Sequence, residues 1–194
     1  MLFRSLHKLL RANRPNTYHL EYGYSCMGYE IAGGLGVKMA DPSREVFVMV
    51  GDGYYLMMAQ EIVTSVQEGF KLIVVLLDSS GYASIGGLSQ SVGSGCVGTQ
   101  FDYKVPVDLA ANAESLGAVV FRATDRASLD TALQSARAAD RTALIYARVD
   151  RTKGVPGYES WWDVPVAEVS EQPAVRDART AWEQGKARQR RGGS

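Results

Sequence analysis

The sequence has few of the residues that build disulfide scaffolds and soft metal centres. It contains 2 cysteines, Cys26 and Cys96, and 2 histidines, His7 and His19. Two thiols cannot form a disulfide framework or a four-thiolate zinc site. Two histidines also argue against a histidine-based metal centre. With so little cysteine, the expected compartment is the reducing cytoplasm.

The chain also lacks an excess of either charge and any long apolar run. It has 21 Lys and Arg against 21 Asp and Glu, so its formal net charge is zero. Nucleic acids and anionic membrane surfaces both attract a net basic face, which a balanced chain does not offer. No apolar run approaches the roughly 18 residues of a transmembrane helix, and charges interrupt the N-terminal stretch too often for a signal peptide. We therefore expect neither a nucleic-acid nor a membrane partner.

Helical and strand-like patterns alternate along the chain. Apolar and small residues predict a helix over 28–40, a strand buried on both faces over 45–50, a helix over 54–68 and a second buried strand over 72–77. The later patterns predict helices over 107–116, 126–139 and 174–190 and strands over 118–121 and 142–149. This alternation is typical of an α/β fold, doubly wound, with a mainly parallel sheet and helices on both faces.

The segments between these elements suggest a division of the chain. Residues 1–24 form a lead-in segment, 25–150 the sheet domain, and 151–194 a covering loop with a helical tail. Residues 78–98 are rich in Ser and Gly and predict a long functional loop. The loop around Trp161 and Trp162 is expected to cover a site. The glycines of GGLG at 33–36 lack the preceding strand that a dinucleotide fingerprint needs, so they favour close helix packing.

Gly51-Asp52-Gly53 stands where the first buried strand ends and a helix begins. The carboxyl ends of parallel strands are where α/β sheets bind ligands, and the N-terminus of a helix attracts phosphate. A carboxylate there repels phosphate unless a cation lies between them, and Mg²⁺ suits that place. The alternative is a plain turn in which Asp52 caps the helix.

The second buried strand strengthens the metal interpretation, because it is followed by DSSGY at 78–82. Two strands of one βαβ unit are parallel, so their carboxyl ends lie at the same edge of the sheet. Asp52 and the turn at 79–81 can then face one ion. That turn would supply two oxygen donors, one from a side chain and one from a backbone carbonyl.

The sequence has GDG at 51–53, Ser79 27 positions after Asp52, and Gly-Tyr at 81–82. This pattern resembles the diphosphate-binding motif of thiamine diphosphate enzymes. The resemblance implies that Asp52, Ser79 and Gly81 hold Mg²⁺. It also implies a segment that grips the aminopyrimidine, in which Met27 wedges the cofactor into a bent shape. Taken alone, Met27 favours ordinary core packing. The full set of cofactor-binding residues that the resemblance implies is Ser25, Cys26, Met27, Gly51, Asp52, Gly53, Tyr54, Ser79, Gly81 and Tyr82.

Longer strings resemble one branch of this family, the hydrolases that open a cyclic diketone in myo-inositol catabolism. They are YHLEYGYSCMGYEIAGGLGVKMADPSREVFVMVGDG, YLMMAQEIVTSVQEG, ASIGGLSQSVGS and PVDLAANAESLGA. The resemblance implies thiamine diphosphate and Mg²⁺ as cofactors and a cyclic polyhydroxy diketone as the small-molecule substrate. It further implies a homo-oligomer, or a partner chain that supplies the pyrimidine-binding domain.

Two departures from the family pattern leave alternatives open. Ser79 stands where the family has an Asn ligand, so the ion is held more loosely, or the backbone has adapted to serine. The chain resembles only the diphosphate-binding domain, and the glutamate of the pyrimidine-binding domain has no counterpart in it. We therefore assign no catalytic residue. The two leading hypotheses are part of a C–C bond hydrolase and a non-catalytic cofactor-binding product of a truncated or split gene. A third, an unrelated receiver-like α/β module with Asp52 at a strand end, is disfavoured, because the sequence lacks the acidic pair at the first strand end and the Lys at a later one that such a module needs.

Overall fold

The computed structural model describes residues 6, 8–21, 23–95, 98–101, 106–153, 155 and 163–189. Within them, four strands form one parallel sheet: β1 (Phe47–Gly51), β2 (Ile73–Asp78), β3 (Val119–Ala123) and β4 (Ala143–Arg148). The strand order is β1-β2-β4-β3, so β2 and β4 lie in the centre. In the register, Leu76 pairs with Val50 on one side and with Tyr146 on the other. The predicted parallel sheet is confirmed.

Helices cover both faces of this sheet. The helices of the described residues are α1 (Tyr29–Ala40), α2 (Asp52–Met58), α3 (Glu61–Gln67), α4 (Ala83–Ser91), α5 (Leu109–Ser115), α6 (Arg126–Ala138) and α7 (Pro173–Arg188). All of them except α4 and α7 contribute to the buried clusters around the sheet. One buried cluster joins α1, α2, α3 and α5 to the sheet through residues such as Leu35, Tyr55 and Ile62. A second cluster packs Ala132 and Ala136 of α6 against the other face. The predicted α/β fold with helices on both faces is therefore confirmed.

The glycines of α1 permit close packing. A Cβ on Gly34 would lie 2.4 Å from Cγ2 of Val48 in β1, and one on Gly33 would lie 2.5 Å from the ring of Tyr29. Real Cβ atoms essentially never approach a neighbour within 3.0 Å, so a larger residue at either position would push the structure apart. The packing interpretation is confirmed for Gly34, which lies against β1, and is wrong for Gly36, where a Cβ would meet nothing within 4 Å.

Three predictions about single elements are wrong. The helix predicted over 54–68 is two helices, because Ile62 and Val63 donate to the carbonyls of Ala59 and Gln60, three residues back, and so tighten the turn between them. β1 is not buried on both faces, since Phe47 is 40% exposed and Met49, on the same face, is only half-buried.

The third wrong prediction is the loop over 78–98, which contains α4 (Ala83–Ser91). Two glycines and three serines within that helix lower its helix propensity and hide it in the sequence. The loop around Trp161 and Trp162 lies outside the described residues. In the described part of the chain, no helix is long and apolar enough to cross a membrane.

Candidate functional site

The GDG tripeptide and the DSSGY segment meet at the carboxyl edge of the sheet. β1 ends at Gly51 and α2 begins at Asp52, while the neighbouring strand β2 ends at Asp78, directly before Ser79. Because β1 and β2 are parallel and paired, their carboxyl ends lie side by side. The structure therefore brings together the residues that the sequence analysis placed around one ion.

Asp52 is the centre of this group. Its side chain is fully buried, and Oδ1 accepts hydrogen bonds from the backbone N–H and the hydroxyl of Ser79, both at 3.2 Å. Oδ2 accepts the N–H of Gly81 at 2.6 Å. The N-cap of α2 is Gly51, and no side chain caps the helix. The alternative in which Asp52 caps the helix is therefore wrong, because its carboxylate bonds to the neighbouring turn instead.

The environment of Asp52 disfavours its charge. Burial raises the pKa of the carboxyl, hydrogen bonds from Gly81 and Ser79 oppose that shift, and the nearby Asp78 carboxylate adds to it. A buried anion without a paired cation is costly, and a metal ion at the carboxylate would remove that cost. The electrostatics of the site therefore favour a bound cation.

The oxygen donors around Asp52 have a spacing that fits Mg²⁺. The Ser79 hydroxyl oxygen lies 3.2 Å from Asp52 Oδ1 and 3.4 Å from the carbonyl oxygen of Gly81. Neighbouring ligands of an octahedral Mg²⁺ ion lie about 3 Å apart, since each Mg–O bond is about 2.1 Å. The described residues contain no cluster of three His, Cys, Asp or Glu side chains that could hold a metal. A metal here would therefore be a hard ion held by a carboxylate, a hydroxyl and a carbonyl.

The turn after β2 has an unusual backbone. Ser80 has φ 55° and Gly81 has φ 143°, values that residues with a side chain rarely adopt. A Cβ on Gly81 would lie 2.3 Å from the carbonyl oxygen of Thr99, which accepts the N–H of Tyr82 at 2.8 Å. Glycine is therefore needed at position 81 both for its backbone conformation and for the close approach of residue 99.

Tyr82 packs over the start of α2. A Cβ on Gly53 would lie 2.6 Å from two carbons of the Tyr82 ring, and that ring contacts the edge of Phe101 with centroids 5.0 Å apart. Gly53 and Tyr54 are the second and third residues of α2, at the positive end of the helix dipole. Position 53 needs glycine because of the Tyr82 ring, since Gly53 itself is helical and its φ is not positive.

The segment resembling the aminopyrimidine grip lies beside α2. A Cβ on Gly28 would lie 2.7 Å from Cγ of Met58, and Ser25 has φ 51°. Met27 is 37% exposed, so the core-packing interpretation of this residue is wrong. The thiol of Cys26 is free and exposed, and its N–H donates to Oε2 of Glu21 at 2.7 Å.

The sequence analysis missed the contact between two residues next to the Asp52 carboxylate. Asp78 is nearly buried, and its carboxylate accepts the hydroxyl of Tyr146 at 2.5 Å and the N–H of Ser80 at 2.9 Å. Burial and this hydrogen bond raise the pKa of Tyr146 to about 12, so its hydroxyl keeps its proton at neutral pH. The order of the strands was the missing information, because Tyr146 reaches Asp78 only through the pairing of β2 with β4.

An open cleft of about 420 Å³ adjoins the same turn. One wall is the 79–83 segment with a face of α4, and another is formed by Arg151, Thr152 and Lys153, which follow β4. The cleft was also missed, because it forms between the ends of strands that are distant in the sequence.

Comparison with known proteins agrees with this geometry. Residues 2–147 match the family model described as thiamine pyrophosphate enzyme, C-terminal TPP binding domain. The chain belongs to this family. The matched residues include both the buried carboxylate of Asp52 and the glycine turn that it contacts.

Curated relatives show which members of this family the chain is similar to. The chain is 44% identical over 184 residues to the 3D-(3,5/4)-trihydroxycyclohexane-1,2-dione hydrolase of Bacillus cereus (strain AH820), covering 89% of this chain. It is 43% identical over 184 residues to the hydrolase of that name from Bacillus thuringiensis (strain Al Hakam), with the same coverage. The chain spans only 29% of the length of these relatives.

A solved structure shares the fold. It is the thiamine diphosphate-dependent 4-hydroxybenzoylformate decarboxylase of Rhodococcus jostii RHA1, with a TM-score of 0.55 and 25% sequence identity. The match covers 64% of this chain and 23% of that one. The chain thus has the α/β fold of a thiamine diphosphate-binding domain and corresponds to part of a longer enzyme.

Proposed function

We propose that the chain is the Mg²⁺- and diphosphate-binding domain of a thiamine diphosphate-dependent hydrolase that cleaves a C–C bond in a cyclic polyhydroxy diketone. The observation that supports the proposed metal site is the fully buried Asp52 carboxylate, which accepts hydrogen bonds from Ser79 and Gly81. The substrate class is supported by the 44% identity to a trihydroxycyclohexane-dione hydrolase.

In this proposal each residue has a role in binding. Asp52, the Ser79 hydroxyl and the Gly81 carbonyl hold Mg²⁺, and Asp52 supplies the single negative charge among them. Gly51, Gly53, Tyr54 and Tyr82 surround the diphosphate, with Tyr82 closing the site against the first turn of α2. Once bound, thiamine diphosphate supplies an electron sink for breaking a C–C bond next to a carbonyl.

The segment from Ser25 to Met27 meets the aminopyrimidine. Met27 is available for contact because its side chain is partly exposed rather than packed in the core. Cys26 contributes through its backbone, whose N–H is fixed by Glu21. The chain's own role is to bind and orient the cofactor, and proton transfer to the aminopyrimidine ring belongs to a pyrimidine-binding domain outside this sequence.

A partner surface follows from the same proposal. Several apolar side chains on α1 and α2 are exposed, among them Val37, Met39, Leu56 and Met57. We propose that these side chains meet either a second copy of this chain or a partner chain that supplies the pyrimidine-binding domain, because large exposed apolar patches favour association. Light scattering at micromolar concentration should detect a dimer or a larger species. A monomer at all concentrations would contradict self-association.

A chimaeric enzyme tests the proposed reaction. The 29% of the Bacillus cereus hydrolase that this chain matches would be replaced by this chain. Ring opening of trihydroxycyclohexane-1,2-dione would then be followed with added thiamine diphosphate and Mg²⁺. We expect measurable hydrolysis that is lost in the Asp52→Ala chimaera. A chimaera that folds and binds the cofactor without turnover would instead favour the non-catalytic alternative.

A further inference from the structure

The carboxylate of Asp78 is a buried group that the proposed metal site does not use. Asp78 is 9% exposed and is the last residue of β2. Its Oδ1 accepts the N–H of Ser80 at 2.9 Å, and its Oδ2 accepts the hydroxyl of Tyr146 at 2.5 Å. Both oxygens are therefore engaged by groups other than the three proposed ligands.

The turn from Ser79 to Gly81 is held by two carboxylates. Asp52 accepts the N–H groups of Ser79 and Gly81, while Asp78 accepts the N–H of the residue between them, Ser80. Ser80 has φ 55°, a left-handed conformation that costs a non-glycine residue free energy and persists only where neighbours impose it. The Asp78 hydrogen bond lies at that residue, so it stabilises the conformation that sets Ser79 and Gly81 relative to each other.

Tyr146 fixes the other side of Asp78. It lies on the central strand β4, paired with Leu76, so its backbone position is set by the sheet. The guanidinium of Arg122 lies 5.5 Å from the centre of its ring, and Nη2 of Arg122 donates to both carboxylate oxygens of Asp108 at 2.8 Å. The pairing of β2 with β4 therefore places the Tyr146 hydroxyl where it donates to Asp78.

We infer that Asp78 and Tyr146 are positioning residues for the metal site: their hydrogen bonds fix Ser80 so that the Ser79 hydroxyl and the Gly81 carbonyl face one ion. This inference rests on the proposed function, since it assigns the turn to a metal. Neither residue contacts the ion, and their effect on the cofactor passes through the backbone of the turn.

Two substitutions of Asp78 separate its hydrogen bonds from its charge. Asp78→Ala and Asp78→Asn both remove the negative charge beside Asp52. Asparagine keeps an oxygen for the Ser80 N–H and offers an amide N–H to the Tyr146 oxygen, whereas alanine keeps neither. We expect Asp78→Ala and Tyr146→Phe to weaken Mg²⁺-dependent binding of thiamine diphosphate by about tenfold, the equivalent of one charge-assisted hydrogen bond. Asp78→Asn should bind within about twofold of the unchanged chain, since it keeps both hydrogen bonds.

A control tests for a general loss of stability. Ser65 is buried at the opposite, amino edge of the sheet, where its hydroxyl donates to the carbonyl of Phe70 at 2.6 Å and bonds to Thr142. Ser65→Ala removes buried hydrogen bonds of a similar kind far from the turn, and it should leave cofactor affinity unchanged. Equal weakening by Ser65→Ala would overturn the inference.

Amide hydrogen exchange of the ligand-free protein provides a readout that needs no cofactor. Asp78→Ala should speed the exchange of the Ser80 N–H most, Tyr146→Phe less, and Asp78→Asn least. Unchanged exchange in Asp78→Ala and Tyr146→Phe would overturn the positioning role, whatever the binding data show. If exchange responds as expected but the unchanged chain shows no Mg²⁺-dependent binding, then the proposed function fails and the assignment of the turn to a metal fails with it.

Discussion

Gly81→Ala changes the turn that contains two of the proposed metal ligands. The new Cβ would lie 2.3 Å from the Thr99 carbonyl oxygen, well inside the 3.0 Å within which Cβ atoms essentially never approach. It would also place a side chain at φ 143°. Backbone strain of this kind costs about 1–3 kcal/mol, and overpacking a rigid neighbour costs a further 1–3 kcal/mol or so.

The expected cost is therefore about 2–6 kcal/mol, which falls either on the stability of the whole fold or on the conformation of the turn alone. If the whole fold is destabilised, the thermal midpoint falls by roughly 4–24 °C, at about 2–4 °C per kcal/mol for a chain of this length. If the turn moves away from residue 99 instead, the midpoint holds and Mg²⁺-dependent affinity for thiamine diphosphate falls. Circular dichroism melting and isothermal calorimetry, run on the same preparations, measure both quantities.

Gly36→Ala is the matched control. Gly36 lies within α1, a Cβ there would meet nothing within 4 Å, and its φ is not positive. Alanine in a helix interior is favoured over glycine by about 0.5–1 kcal/mol, so this variant should melt slightly higher and bind as before. If Gly81→Ala matched Gly36→Ala in both midpoint and affinity, the close approach and the strain at residue 81 would be refuted.

Substitutions at three further positions test other parts of the account. Ser79→Ala removes a hydroxyl 3.2 Å from Asp52 and should weaken Mg²⁺-dependent binding of thiamine diphosphate about tenfold. Ser79→Asn should also weaken this binding, because Ser79 is only 7% exposed and its oxygen already has the spacing of an octahedral ligand. Tighter binding by Ser79→Asn in calorimetry would show instead an eroded asparagine site. Gly53→Val would force a Cβ to within 2.6 Å of the Tyr82 ring. The affinity for thiamine diphosphate should therefore fall, and the near-ultraviolet circular dichroism of tyrosine should change. Unaltered values for both would refute this contact. Asp125 caps α6, and its hydrogen bond from the Ser128 N–H holds the pKa of that carboxyl below its usual range. Such a group stabilises the fold above its unfolded pKa and loses that effect as pH falls through its folded pKa. Asp125→Ala should therefore melt at a lower temperature than the unchanged chain at neutral pH and at the same temperature in acid, whereas a pH-independent difference would contradict the capping role.

Much of the fold could be predicted from the sequence because its apolar runs are strong and regular. The parallel strands, α1 and the amphipathic α6 all lie within a few residues of the predicted positions. α4 could not be predicted, since Gly86, Gly87 and its serines have low helix propensity. The break between α2 and α3 depends on a local tightening of the turn that the continuous apolar stripe does not reveal.

The core of the candidate site could also be predicted, because one βαβ unit brings Asp52 and Ser79 to the same edge. Contacts that depend on the strand order could not. Tyr146 lies 68 positions after Asp78 and reaches it only because β4 pairs with β2. The Tyr82 ring over Gly53 depends on the side-chain direction at a turn that no periodic pattern describes.

Titration of the unchanged chain with thiamine diphosphate, in Mg²⁺ and then in excess chelator, tests the central claim most directly. The claim is that Asp52, Ser79 and Gly81 hold a metal that bridges this domain to the diphosphate. We expect calorimetric heat of binding in Mg²⁺, its loss in chelator, and its absence in an Asp52→Ala variant whose circular dichroism is unchanged. Equal affinity in Mg²⁺ and in chelator, or undiminished binding by Asp52→Ala, would contradict the claim.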